Sequence, residues 1–181
     1  MVKKIINSGL VFLVLSVIAF VLDYGTKVWV AESIKAYDFS ANNIIVVIDN
    51  FFRIIHVHNT GAAFSFLADQ PGWQRIFFAS IAITFCIVAL VLLYKSKRND
   101  YVPNIAYSLI IGGALGNLYD RLQYGYVIDF LDFYIERNGR EMHYPAFNVA
   151  DMAICTAVGL ILIYEFFFKK KQEPKLEQNQ N

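Results

Sequence analysis

An otherwise apolar chain gathers acids, amides and an arginine at two places beside predicted membrane helices. The stretch GNLYDRLQYGYVIDFLDF, starting at Gly116, holds Asn117, Asp120, Arg121, Asp129 and Asp132; FNVAD, Phe147 to Asp151, opens the next apolar run with Asn148 and Asp151. Ionisable groups at such places are costly to keep, so each is a candidate for function. Two carboxylates that share a site do not both ionise readily. One keeps a proton while the other acts as base, the division of labour of aspartic proteases. Asp151 is one candidate for such a pair. Asp129 or Asp132 supplies the other, and pattern alone does not separate them, although VIDF frames Asp129 tightly with apolar residues. A helix start favours the charged form at Asp151, and an apolar frame favours the neutral form at Asp129.

Plainer roles stand beside these. Asn117 and Arg121 are four residues apart and share a helix face, yet Asp120-Arg121 also fits a helix end in the headgroup zone, where arginine snorkels. Asn148 and Asp151 match a helix N-cap with an acid at the third helical position. Asp23 and Lys27, again four apart, suit a structural ion pair. His56 and His58 alternate on a predicted strand, but His143 is remote and no cysteine is near, so no metal site is expected. Cys86 and Cys155 lie inside apolar runs and are expected to be buried, inert thiols. The chain has no local signature of a Ser/His/Asp triad and no glycine-rich phosphate loop.

The elements that must position these groups are membrane helices. The 181 residues are 57% hydrophobic and 17% charged, with a formal net charge of +1. Soluble domains have roughly 45–50% apolar and about 25% charged residues. A spanning helix needs about 20 mostly apolar residues, and residues 9–30, 76–94, 102–122 and 149–168 qualify. Lys3 and Lys4 precede the first run as in a signal peptide, but Asp23 and Lys27 follow instead of a small-residue cleavage pattern, so the helix is expected to be retained. Basic clusters occur at Lys3–Lys4, at Lys95, Lys97 and Arg98, and at Lys169–Lys171. All fall on one side if the chain crosses four times, which places both termini in the cytoplasm. Spans three and four then run in opposite directions, and their polar ends meet at the outer face. The expected fold class is a mainly α membrane protein with four transmembrane helices. Residues 1–168 would form one membrane domain and residues 169–181 a polar, disordered tail.

The outer loops carry further signals. IIVVIDNFFRIIHVH, Ile44 to His58, is rich in β-branched and aromatic residues. Asp49-Asn50 marks a turn within it, which predicts a β-hairpin followed by a turn at Asn59–Gly61. The apolar AAFSFL after that turn is expected to dip into the membrane interface. Asn138-Gly139 signals another turn. Gly112, Gly113 and Gly116 give the third span small residues that permit close helix approach.

Five motifs in order carry a family resemblance: LDYGTK (Leu22–Lys27), NTGAAFS (Asn59–Ser65), GGALGNLYDR (Gly112–Arg121), VIDF (Val127–Phe130) and PAFNVAD (Pro145–Asp151). Together they resemble lipoprotein signal peptidase, or signal peptidase II. The resemblance implies a bacterial aspartyl protease of the cytoplasmic (inner) membrane, with its active site at the extracytoplasmic face. Such enzymes remove signal peptides from diacylglyceryl-modified prolipoproteins on the amino side of the lipidated cysteine. It implies Asp129 and Asp151 as the catalytic pair, which separates Asp129 from Asp132. Asn117, Arg121 and Asn148 would line the site and contact peptide, Asn59 matches a further polar position near the site, and Asp23, Lys27 and Asp120 would be in support. It also implies a small outer sheet that cradles substrate. No metal or other cofactor is required. The expected partners are diacylglyceryl-prolipoproteins and membrane lipid, without nucleic acid, and the chain is expected to act as a monomer. Tyr24, where many members have glutamine, and the longer Ile135–Tyr144 segment depart from the family pattern. The alternative is a small proton-coupled transporter or channel subunit using the acids as a relay. Transporter sites, however, lie near the midplane within repeated halves, and neither feature is visible here.

Overall fold

The computed structural model describes residues 7–40, 42–61 and 72–168. The AAFSFL stretch, the terminal lysine clusters and the C-terminal tail lie outside them. Four long helices form the body: α1 (Leu13–Ser33, entered through a 3-10 turn at Gly9–Phe12), α2 (Trp73–Lys95), α3 (Tyr101–Gln123) and α4 (Val149–Ile163), which runs into a π-helical turn at Tyr164–Phe168. Strands β1 (Ile45–Ile48), β2 (Phe52–Asn59), β3 (Val127–Arg137) and β4 (Arg140–His143) form one antiparallel sheet in the order β1-β2-β3-β4.

Among the described residues, three helices are long and apolar enough to cross a membrane: Gly9–Ser33, Trp73–Lys95 and Val149–Phe167. The sequence predicted a fourth at 102–122. The helix is there and is as long as α2, but its composition falls short of theirs. Its position explains why, because α3 packs against each of the other three helices. Its inward surface buries Asn104, Asn117 and Asp120, which have polar partners, and Ser108, whose Oγ has none among the described residues. Elsewhere the helices are inside out by soluble standards: Val17, Val21, Ile76, Phe85, Ile87 and Phe166 are exposed.

Small residues set the helix spacing, as predicted. A methyl group on Gly112 would meet the Ser16 carbonyl of α1 at 2.7 Å, and one on Gly113 the Ala150 carbonyl of α4 at 2.5 Å. Pro103 sits in the first turn of α3, where its missing N–H costs nothing. Gly125, at φ 87°, takes the left-handed conformation that ends α3 and frees the chain to enter β3.

The sheet stands at one end of this bundle. Val30 of α1 packs with Ile128 and Phe130 to seat β3 on the helices. At the opposite end, Gly9 donates to the Ser96 carbonyl and Arg98 to the Asn7 carbonyl, so the start of the first helix lies beside the α2–α3 turn. The predicted hairpin is β1–β2, with Asn50 at φ 58° in its turn. The Asn138-Gly139 turn joins β3 to β4, both residues having positive φ. The sequence reading did not assign β3 as a strand, although it pairs with both neighbours.

Candidate active site

The strand period separates the two candidate acids of VIDFLDF. Residues three apart on a strand point to opposite faces, so Asp129 and Asp132 part company. Asp132 is buried beside Arg53 Nε at 2.7 Å and His143 Nδ1 at 2.9 Å. Asp129 lines a cavity of about 430 Å³ with Asn59, Asn117, Arg121 and Asp151. A register shift of β2 between Ile54 and Val57, opposite Leu131 and Asp129, bends the sheet at this point.

Four amide contacts hold the two carboxylates. Asn148 is the N-cap of α4: its Oδ1 accepts from the Asp151 N–H at 3.0 Å, and its own N–H donates to Asp151 Oδ2 at 3.3 Å, a reciprocal capping box. The predicted cap is therefore present, and it also serves the site, because Asn148 Nδ2 donates to Asp129 Oδ1 at 2.7 Å. Asn59 ends β2, and its Oδ1 accepts from the Gly61 N–H in the predicted turn. That fixes its amide so that Nδ2 donates to Asp129 Oδ2 at 2.9 Å. Asn117 Nδ2 donates to Asp151 Oδ1 at 2.8 Å. Burial, followed by the nearby Asp151 charge, pushes the Asp129 carboxyl up to about 7, and the amide donors only partly oppose this.

Arg121 lies over the ring of Phe78 at 5.2 Å and donates to the Asn117 and Gly61 carbonyls. Its buried Nε has no hydrogen-bond partner among the described residues. Asp23, Lys27 and Asp120 do not line the cavity. They form a buried cluster behind it, with Lys27 Nζ at 2.7 Å from Asp23 and 3.0 Å from Asp120. The predicted Asp23–Lys27 pair is thus observed. Asp23 Oδ1 accepts the Ala150 N–H at 2.8 Å, tying α1 to the start of α4. Asp120 Oδ2 accepts the Ile128 N–H, tying α3 to β3.

His56 and His58 face one another, with their Nε2 atoms 3.2 Å apart, on the Tyr126 side of the sheet. His56 Nδ1 donates to the Ile34 carbonyl. Cys86 is half-buried and Cys155 is exposed, so the expectation of two buried thiols fails; Cys155 borders the cavity on the outward surface of α4. The sequence reading also missed the wall formed by Tyr144, Pro145, Ala146 and Phe147. Ile154 and Cys155 of the floor were legible, since they follow Asp151 at the three- and four-residue spacing of one helix face. An apolar groove of about 260 Å³ between α2, α3 and α4 adjoins the cavity and shares Asn117, Arg121 and Ile154 with it.

The pattern of the Signal peptidase (SPase) II family, Peptidase_A8, matches residues 15–167. The chain is 46% identical over 164 residues to a lipoprotein signal peptidase of Photorhabdus laumondii, an alignment that covers 91% of this chain and 92% of that one. It is 47% identical to a lipoprotein signal peptidase of Yersinia pestis, with 91% of each covered. Its fold is similar to a solved bacterial membrane enzyme at a TM-score of 0.75 and 30% identity, covering 91% of this chain and 93% of that one. A second such structure gives 0.71 and 29% identity, with 87% and 94% covered. With a family pattern that spans nearly its whole length and relatives at this identity, the chain belongs to the signal peptidase II family of aspartic-type peptidases.

Proposed function

We propose that Asp129 and Asp151 are the catalytic dyad of a peptidase that removes signal peptides from diacylglyceryl-modified prolipoproteins. The observation that carries this reading is two carboxylates lining one cavity, each held by amide donors. Asp129, raised to about 7, holds the proton and donates it toward the scissile carbonyl. Asp151 takes a proton from the attacking water. Asn59, Asn117 and Asn148 fix the two acids, and the spare Nε–H of Arg121 is a donor for a peptide carbonyl. The apolar groove beside Arg121 offers a place for lipid chains, so that the scissile bond reaches the acids from the bilayer side.

The proposed placement is a single domain, residues 1–168, in the bacterial inner membrane. All four helices cross, α3 shielded by the other three, and both termini are cytoplasmic. The start of the first helix lies beside the basic turn at Lys95–Arg98, while the site lies at the sheet end. By the positive-inside rule the site then faces outward. Tyr24, Trp29, Trp73 and Tyr124 at the sheet end suit an aromatic belt. The chain acts as a monomer with no cofactor, and nucleic acid has no part. The direct test is cleavage of a purified, lipidated prolipoprotein by the protein in detergent, followed by electrophoretic mobility. Asp129→Asn and Asp151→Asn should each nearly abolish it. Their combination should be little worse, because groups that act as a unit are not additive. Substantial cleavage by either folded single variant would refute the dyad.

A further inference from the structure

Lys27 is buried behind the cavity, with its side chain 2% exposed. Its ammonium meets Asp23 Oδ2 at 2.7 Å, Asp120 Oδ2 at 3.0 Å and Asn117 Oδ1 at 3.0 Å. An ammonium has three N–H donors and no acceptor. The Asn117 atom that faces it must therefore be the amide oxygen. That choice turns Asn117 Nδ2 toward the cavity, where it donates to Asp151 Oδ1. Asn148 Nδ2 supports the same orientation through a longer contact to Asn117 Oδ1 at 3.2 Å. Both carboxylate partners of Lys27 are themselves anchored, Asp23 by the Ala150 N–H of α4 and Asp120 by the Ile128 N–H at the start of β3. The ammonium is thus referenced to the two elements that carry the two acids.

We propose that Lys27 is a positioning residue for the reaction: acting through Asn117, it keeps an N–H aimed at Asp151 Oδ1 and so leaves the single proton of the pair on Asp129. This rests on the Asp129–Asp151 reading. An ion pair present only for packing would need neither a contact to Asn117 nor a third acceptor. Without the ammonium, the Asn117 amide is free to turn and present its oxygen to Asp151. An oxygen there favours a protonated Asp151, which is the wrong form for a base. Substrate binding is largely spared, because Lys27 does not line the cavity. The other titratable groups around Lys27 are Asp23, Asp120, Tyr24, Glu32 and Tyr124, with Tyr24, Glu32 and Tyr124 bordering a small cavity on its far side.

Two variants test this. Lys27→Met keeps length and removes the charge. The triple variant Asp23→Asn, Lys27→Met, Asp120→Asn removes all three charges together, so no carboxylate is stranded without its cation. Both are purified full length in detergent and assayed on lipidated prolipoprotein across pH, with Asp129→Asn and Asp151→Asn alongside. For a folded variant kcat should fall roughly tenfold or more with KM nearly unchanged, the mark of a loss felt in the transition state. For Lys27→Met the pH–rate profile should move to higher pH, since a cation near both acids is gone while Asp23 and Asp120 keep their charge. A folded variant with the parent's kcat and pH profile overturns the proposal. Failure of both variants to fold also overturns it, since Lys27 would then be a folding determinant. The Asp→Asn variants keep the two readings apart: if they cleave like the parent, the dyad fails whatever Lys27 does; if they are inactive beside a parent-like Lys27 variant, only the Lys27 proposal fails.

Discussion

Asn148 donates from Nδ2 to Asp129 Oδ1 at 2.7 Å, across the gap between a helix start and the strand that carries the other acid. The same residue caps α4 through its Oδ1. One side chain therefore fixes the helix that presents Asp151 and touches Asp129 directly. An N-cap needs only an acceptor, whereas the contact to Asp129 needs a donor on the other branch of the amide. Asparagine meets both demands; aspartate has no donor, and the single short hydroxyl of serine, seated at the cap, has no second branch to reach Asp129.

Asn148→Ser should accordingly separate stability from activity. The hydroxyl keeps the cap, so the melting temperature in detergent should stay close to the parent's. Asn148→Ala should lose about 1 kcal/mol, the usual worth of a cap. Both variants lack the amide branch that reaches Asp129, and both should lose cleavage on the order of tenfold or more. A serine variant with the parent's rate would show that the amide serves only the helix.

The position of Asp129 sets a pH dependence. Burial raises its carboxyl from the ordinary 3.8 to about 7, with the Asp151 charge adding to the rise. The folded protein thus binds a proton that the unfolded chain releases. The stability this proton confers is fully present below about 4 and is lost as pH rises through about 7. Asp129→Asn has no proton to lose. The difference in melting temperature, variant minus parent, should therefore grow over that interval and level off above it. Cleavage by the parent should decline through the same upper limit, as the acid of the pair ionises. A pH-independent difference in melting would place the titration elsewhere.

Asp132 should behave differently from Asp129, three residues earlier on the same strand. It is 2% exposed and binds Arg53 and His143, and the Arg53 guanidinium also lies over the Tyr134 ring at 4.4 Å. The cluster joins β2, β3 and β4, and Glu141 adds a second carboxylate to Arg53 at 3.0 Å. Asp132→Asn leaves the arginine short of counter-charge and should cost up to about 3 kcal/mol. Cleavage per folded molecule should stay within a few-fold of the parent. Thermal melting and a rate normalised to folded protein check the two halves; loss of the chemistry without loss of stability would reverse the assignment of the two acids.

The sequence made some of this legible because local rules were sufficient. Hydrophobic length found every helix, and the N-cap spacing found the Asn148–Asp151 box. The Asp49-Asn50 turn found the first hairpin. β3 escaped because VIDFLDFYIER does not alternate cleanly: it is buried on both faces over its first half, where helices cover one side and Phe147 returns along its edge. That missing strand is why Asp129 and Asp132 were inseparable by pattern, since only a strand period sends them to opposite faces. The cavity wall at Tyr144–Phe147 also escaped, because it is extended chain whose place is set by a bridge between Leu131 and Phe147. The role of Asn117 between Lys27 and Asp151 depends on contacts 90 and 34 residues apart, which no local spacing encodes.

Arg121 and Arg137 offer a last contrast. Arg121 is shared by the cavity and the adjoining apolar groove, with Nη1 and Nη2 bound to carbonyls and a buried Nε left over. Arg137 is exposed beside the Asn138-Gly139 turn, at the far end of β3. Removing Arg137 costs little, as for most exposed surface charges. Removing Arg121 takes away the donor proposed for a peptide carbonyl and frees the Gly61 carbonyl at the cavity edge. Arg121→Ala should therefore reduce kcat/KM by roughly tenfold to a hundredfold, and Arg137→Ala should stay near the parent. Arg121→Lys should recover little, because one ammonium cannot span the Asn117 and Gly61 carbonyls and still present a planar Nε–H to substrate. Equal cleavage by Arg121→Ala and Arg137→Ala, at matched amounts of folded protein, would remove Arg121 from the substrate site and leave it a tie between α3 and the turn at Gly61.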